Sequence, residues 1–278
     1  MVEVYSLRLK IEPSLPKNIE LKELYEKTVE VLNHKNLNNF LALSLTGSRV
    51  WGVEGEESDI DVLAYGYYND VLDIITEFKG NELEITTNPI NDVIEQALQY
   101  ETRWDIISSV PFTASDEAII AEMKKSSLLT LDEINCILSH IIFRLSWLGI
   151  AIKPFTFKNI KIYSLISRYM SLPRANTYNL LFYALDLLSI AQYVLNGLPY
   201  PFAKWRLLHL DKLYNVSHKL LEFVKLYKND YIELRTLSTL TSDVLLETLD
   251  LINSMNYLKN GLENEDLCRQ KLKLYPYF

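Results

Sequence analysis

Asp59 and Asp61 stand two residues apart in Ser58-Asp59-Ile60-Asp61-Val62, an alternation of acid and aliphatic. In an extended strand residues two apart share a face, so both carboxylates project side by side while Ile60 and Val62 turn toward a core. Two anions so placed repel and resist ionising together unless a cation lies between them. Oxygen ligands of this kind suit Mg²⁺, which takes one or two protein carboxylates and fills its shell with water and substrate phosphate. Two such ions can stabilise both the attacking and the leaving oxygen in a displacement at phosphorus. Upstream of the acids, before residues 49–58, lies Gly47-Ser48. Gly47 lets the backbone approach a ligand with no Cβ in the way, and the N–H groups and hydroxyl around Ser48 can bind phosphate oxygens. Arg49 offers a fork for a phosphate or a partner for one of the loop glutamates. A third acid, Glu84, lies between Leu83 and Ile85 in the same acid-and-aliphatic pattern. Glu82 shares its face, and Asp105 in Trp104-Asp105-Ile106 is a further alternative.

These residues need elements to hold them. The spacing of Ile19, Leu21, Leu24, Tyr25, Val29 and Leu32 predicts an amphipathic helix. Strands are expected over 39–48, 58–68 and 81–88, and a fourth over 104–112, stopped by Pro111. Helices are expected over 69–80, opened by Asn69 or Asp70 and closed by Gly80, and over 89–103, with Pro89 at its start. Apolar residues then recur at helical spacing through 117–125, 131–150, 159–172, 177–196, 202–213, 216–228 and 231–259, with breaks at Gly149, Pro154, Pro173, Gly197, Pro199, Pro201 and near Asn215. The reading is an α+β fold: a mixed sheet with helices over 1–127, followed by an all-α bundle over 128–278.

The combination of Gly47-Ser48, a ten-residue loop, and Asp59-Ile60-Asp61-Val62 resembles the hallmark of the polymerase-β-like nucleotidyltransferase superfamily. The wider form "GSRVWG…SDIDV" looks most like its small-molecule and minimal branches. Thr46 occupies a slot that is apolar in the family pattern. The resemblance covers about residues 19 to 110. It implies a nucleoside triphosphate, ATP by default, attacked at its α-phosphorus by an acceptor hydroxyl, with Asp59, Asp61 and Glu84 holding Mg²⁺ in a two-metal site. Glu84 would also serve as base, and Gly47, Ser48 and Arg49 would hold phosphates. "LNGLPYPFAKWR" resembles stretches of helical regions fused to such heads, and implies that Lys204 reaches a phosphate with help from Arg206 or Arg168. The same resemblance leaves a second reading: a toxin–antitoxin-type regulator that acts by binding a partner, its transfer activity weak or lost.

The 278 residues are 49% apolar and 23% charged, as in a folded globular protein, and the net charge is −8. Residues 1–127 carry 11 Lys and Arg against 23 Asp and Glu, and the remainder 17 against 13. An acidic half beside a basic one suits metal ions plus a polyphosphate, and equally a merely uneven surface. The overall charge argues against a nucleic-acid binder, which needs clustered cations. Met1–Pro13 lacks the pattern of a secretory signal, so a cytoplasmic location is expected. The most apolar stretches carry His140, Arg144, Asp186 and Gln192, and read as buried helices with no role in a membrane. Cys136 and Cys268 read as two packing residues, and His140 as a core histidine. His209 and His218 are expected at the surface, and Trp205 in the interior. The basic aromatic tail "KLKLYPYF" can dock on its own domain or on a second subunit, so a homodimer or a helical protein partner is a further expectation.

Overall fold

The computed structural model describes residues 9–54, 58–90, 100–147, 152–153, 161–162, 174–227 and 232–258, with 263 and 268. The chain divides into two compact units, Ile11–Leu128 and a second formed by Leu129–Phe278 with Met1–Lys10.

In the first unit α1 (Leu21–His34) leads into β1 (Phe40–Thr46), β2 (Ile60–Gly66), β3 (Asp73–Phe78), β4 (Asn81–Pro89), α2 (Tyr100–Ser108), β5 (Val110–Pro111) and α3 (Glu117–Ser126). The five strands form one mixed sheet in the order β3-β4-β2-β1-β5. β2 and β4 run parallel with Asp61 beside Glu84 and Ile60 beside Leu83, while β1 runs antiparallel to β2 with Thr46 opposite Asp61. Alternation divides the side chains between two faces. One face carries Ile60, Val62, Leu83 and Ile85, all buried, and Lys79 ties the β3–β4 hairpin to Glu20 and Glu23 at the start of α1. The other carries Ala42, Leu63 and Tyr65, packed with Ile106 of α2 and with Ile120 and Met123 of α3. Asp61, Glu84 and Thr46 extend that second face beyond its apolar part.

Two expectations change here. Residues 73–78 form a strand where a helix was expected. Ile74, Ile75 and Thr76 are β-branched, which favours a pleated surface, and Lys79 and Gly80 both take positive φ, 51° and 79°. That pair makes the tight hairpin turn closing Phe78 against Asn81; Gly80 serves this turn and stops no helix. The fourth strand over 104–112 shrinks to Val110–Pro111, and Trp104–Ser108 belong to α2. A short apolar run fits a buried helix as well as a strand by periodicity alone. Arg103 fixes the helix by donating to the carbonyls of Ser127 and Leu128 at 3.0 and 2.6 Å. Most of the helix expected over 89–103 lies outside the described residues.

The second unit contains α4 (Leu131–Trp147), the paired two-residue strands β6 (Ile152–Lys153) and β7 (Lys161–Ile162), α5 (Arg174–Leu195), α6 (Ala203–Arg206), α7 (His218–Tyr227) and α8 (Leu234–Ser254). Lys161–Ile162 is therefore extended where helix was expected; the rest of 159–172 lies outside the described residues, as does the tail 271–278. α5 packs against α4 and α8, and α8 against α7. Among the described residues one segment, Thr177–Leu195, is long and apolar enough to cross a membrane by length and composition. Its polar groups are satisfied within the protein: Gln192 Nε2 donates to Thr248 Oγ1 at 2.9 Å, and its Oε1 accepts the Ser217 N–H at 2.9 Å.

The two cysteines are not separate packing residues: Cys136 on α4 and Cys268 form a disulfide, with Cα atoms 5.4 Å apart. Spacing in sequence could not reveal this, since 132 residues separate them and tertiary structure alone brings them together. The Leu258 and Glu263 N–H groups donate to Asn135 and Ser139 on the same helix, so the chain end is tied along α4. A loop of this length gives a chain-entropy stabilisation of up to about 5 kcal/mol. Thermal melts of the full chain with and without a thiol reductant should show a lower transition when reduced; coincident melts would mean that the bond constrains little.

His209 is buried, against the expectation of a surface site, and stacks on a half-buried Trp205 with ring centroids 6.2 Å apart. Burial, reinforced by the nearby Lys212, pushes its pKa down to about 4 from 6.5. The unfolded chain thus binds a proton below pH 6.5 that the folded one refuses until about pH 4. Stability should fall across that window as pH is lowered, by roughly 3 kcal/mol from this residue. Melts from pH 7 to pH 4 should show a shallower slope in His209→Gln than in the wild type; equal slopes would contradict the assignment.

Candidate active site

The register described above brings the acids together. β2 begins just after Asp59, and Asp61 lies between Thr46 of β1 and Glu84 of β4 on one face of the sheet. Asp59, Asp61 and Glu84, all half-buried, each offer a carboxylate oxygen, and these atoms lie within 4.8 Å of one another. At that separation like charges repel, and solvent screening of half-buried groups reduces the cost to about 1 kcal/mol per pair. A set of three hard oxygen donors is the chemistry that a divalent cation of the Mg²⁺ type takes. Glu82 is exposed, two residues before Glu84 on the same face. Asp105 stands outside the cluster; its backbone carbonyl accepts the Thr46 hydroxyl at 2.8 Å.

That last contact accounts for a polar Thr46 in a buried position. Its hydroxyl is also 3.0 Å from Ser108 Oγ, so the end of β1 is pinned to the end of α2. The next residue, Gly47, has φ of 77°, and a Cβ there would lie 1.8 Å from Asp61 Oδ2 and 2.7 Å from its Cγ. Glycine is therefore required both for the backbone conformation and because the Asp61 carboxylate occupies the space where a side chain would start. Ser48 opens a short 3₁₀ turn, Arg49–Trp51, and its hydroxyl is buried without a hydrogen-bond partner among the described residues. Trp51 of that turn stacks on Trp104 of α2 at 5.8 Å, with the rings 12° from parallel. This stack gives the turn a rigid apolar backing. No stacking role for either tryptophan was evident from spacing, although a large aromatic three residues after Ser48 was a usable signal.

Arg49 commits its Nε and one Nη within the protein. Its side chain is buried; Nε donates to the Asp59 carbonyl at 2.8 Å, and one Nη donates to the Ser58 carbonyl and to Asn81 Oδ1. Arg49 thus positions the backbone that carries Asp59 into the strand. In the helical unit, Arg206 is also engaged structurally. It pairs with Asp186, donates to the Pro201 carbonyl and lies 5.3 Å from the Tyr200 ring. Its Nε and one Nη are therefore committed within the protein. Lys204 lies on α6, and its side chain and all of Arg168 are outside the described residues.

No protein-family model matches the chain, and no curated protein does. Among solved structures it is similar to a nucleotidyltransferase-like protein from Exiguobacterium sibiricum 255-15, at 10% identity and a TM-score of 0.39, over 83% of this chain and 75% of that one. A similarity this low adds nothing to what the strand register and the acid cluster carry by themselves.

Proposed function

We propose that the protein is a divalent-metal-dependent nucleotidyltransferase that moves a nucleoside monophosphate, AMP from ATP by default, onto a hydroxyl of a small molecule or protein. The observation that carries this reading is the convergence of Asp59, Asp61 and Glu84 within 4.8 Å at the end of a sheet whose preceding strand closes on Gly47 and Ser48. The three carboxylates would hold Mg²⁺, which supplies charge neutralisation on the phosphate oxygens and at the leaving pyrophosphate. Glu84 would accept the proton of the acceptor hydroxyl as its oxygen attacks the α-phosphorus. Gly47 and Ser48 would place backbone N–H groups at the polyphosphate, and Arg49 would hold Asp59 in position. Positioning and electrostatics then account for most of the rate, as in other phosphoryl transfers. Lys204 remains a proposed phosphate contact.

The test is incubation with each of the four α-labelled ribonucleoside triphosphates and Mg²⁺, against extracts split into small-molecule and protein fractions. Label transferred to an acceptor by the wild type and not by Asp61→Asn supports the reading. Transfer that persists in the variant would overturn it.

A further inference from the structure

A cleft of about 350 Å³ opens on the face of the sheet opposite the acids. Ile60 and Asn81 line it, and both alternate away from Asp61 and Glu84 in the strand register. Its volume falls in the range of pockets that hold small molecules. Its apolar walls are Ile19, Ile60 and Phe78. Two oppositely charged side chains line it with bonding capacity left over. Glu54 Oε2 is buried with no hydrogen-bond partner among the described residues, an arrangement that costs stability unless a donor arrives. Arg49, although its Nε and one Nη are committed, has a second Nη with no hydrogen-bond partner among the described residues. The other charges at the cleft, Glu20 and Lys79, already satisfy each other at 2.7 Å.

We infer that this cleft binds a small zwitterion of the amino-acid type, its ammonium on Glu54, its carboxylate on the free Nη of Arg49 and an apolar body between Ile19, Ile60 and Phe78. A monocation would leave the Arg49 nitrogen unanswered, and a simple anion would leave Glu54 so. A divalent ion needs several oxygen donors, and among the described residues lining the cleft Glu54 is the one uncommitted carboxylate. The site is separate from the acid cluster and joined to it by one side chain: the guanidinium that would receive the carboxylate also holds the Ser58 and Asp59 carbonyls. A ligand here is thus placed to act as an effector of the Asp59 backbone. This second part rests on the proposed metal site; the binding site itself does not.

Calorimetric titration of the full chain, without metal or nucleotide, tests it with three probes: L-leucine, n-butylamine and butyrate. The expected result is saturable binding of L-leucine, weakened at least about tenfold in Glu54→Gln by loss of the charged acceptor, and much weaker binding of either singly charged probe. Failure of L-leucine to bind, equal binding by Glu54→Gln, or butylamine binding as tightly as L-leucine would each overturn the site. A second titration with Mn²⁺, with and without saturating L-leucine, tests the effector role. Linkage requires that each ligand change the other's affinity by the same factor. Identical Mn²⁺ affinities would overturn that role, and would leave the nucleotidyltransferase reading where it stood.

Discussion

Asp61→Asn should reduce nucleotidyl transfer by at least about a thousandfold, some 4 kcal/mol of transition-state stabilisation, and should at the same time raise the melting temperature of the metal-free protein. The two effects share one cause. Asp61 sits between Asp59 and Glu84, with carboxylate oxygens within 4.8 Å, and the sheet holds them there whether or not a cation is present. Removing the central charge relieves repulsion from both neighbours and leaves the size of the side chain nearly unchanged. A gain of a few degrees is the expected size for relief of 1 to 2 kcal/mol in a unit of this length. Asp59→Asn should behave in the same direction. Activity assays beside metal-free melts check this; a variant that lost both activity and stability would show that the acids serve the fold and hold no metal.

Gly47→Ala should be the opposite kind of lesion, lowering stability and metal affinity together. A methyl group at this position would lie 1.8 Å from Asp61 Oδ2, and the backbone stands at a φ of 77° that L-residues adopt with strain. The strained backbone costs about 1 kcal/mol. Relief of the clash requires either the Asp61 carboxylate or the end of β1 to move. β1 is anchored by the Thr46 hydroxyl on the Asp105 carbonyl and on Ser108, and the turn after it by the Trp51–Trp104 stack. The carboxylate should therefore yield. A displacement of this kind is expected to cost about a hundredfold in rate. Mn²⁺ titration followed by electron paramagnetic resonance would show weakened binding in Gly47→Ala, and unchanged binding would mean that Asp61 is not a ligand.

The contrast between these variants shows what could be read from the sequence and what could not. The period-two alternation through Asp59, Asp61 and Glu84 carries information about a face, because strand geometry converts spacing directly into direction. The same logic placed Leu83 and Ile85 opposite Glu84. It failed at Asp73–Phe78, where a plausible helix start and a glycine stop concealed a hairpin strand, and at Trp104–Ser108, where an apolar run was too short to show its period. Side-chain roles that depend on tertiary approach were beyond reach. Arg49 reads as a phosphate fork, and only tertiary structure shows Ser58, Asp59 and Asn81 around it. Gly47 reads as room for a ligand until the Asp61 carboxylate is found in that room. Cys136 and Cys268 gave no sign of each other at 132 residues' separation.

A nucleoside triphosphate held on a metal at Asp59, Asp61 and Glu84 should bind only while both the metal and the acids are present. Calorimetric titration of ATP with Mg²⁺ into the wild type and into the Asp59→Asn/Asp61→Asn double variant tests it most directly. The expected result is binding by the wild type that disappears when Mg²⁺ is chelated and is absent from the folded double variant. Equal affinity in the two proteins, or binding indifferent to Mg²⁺, would contradict it.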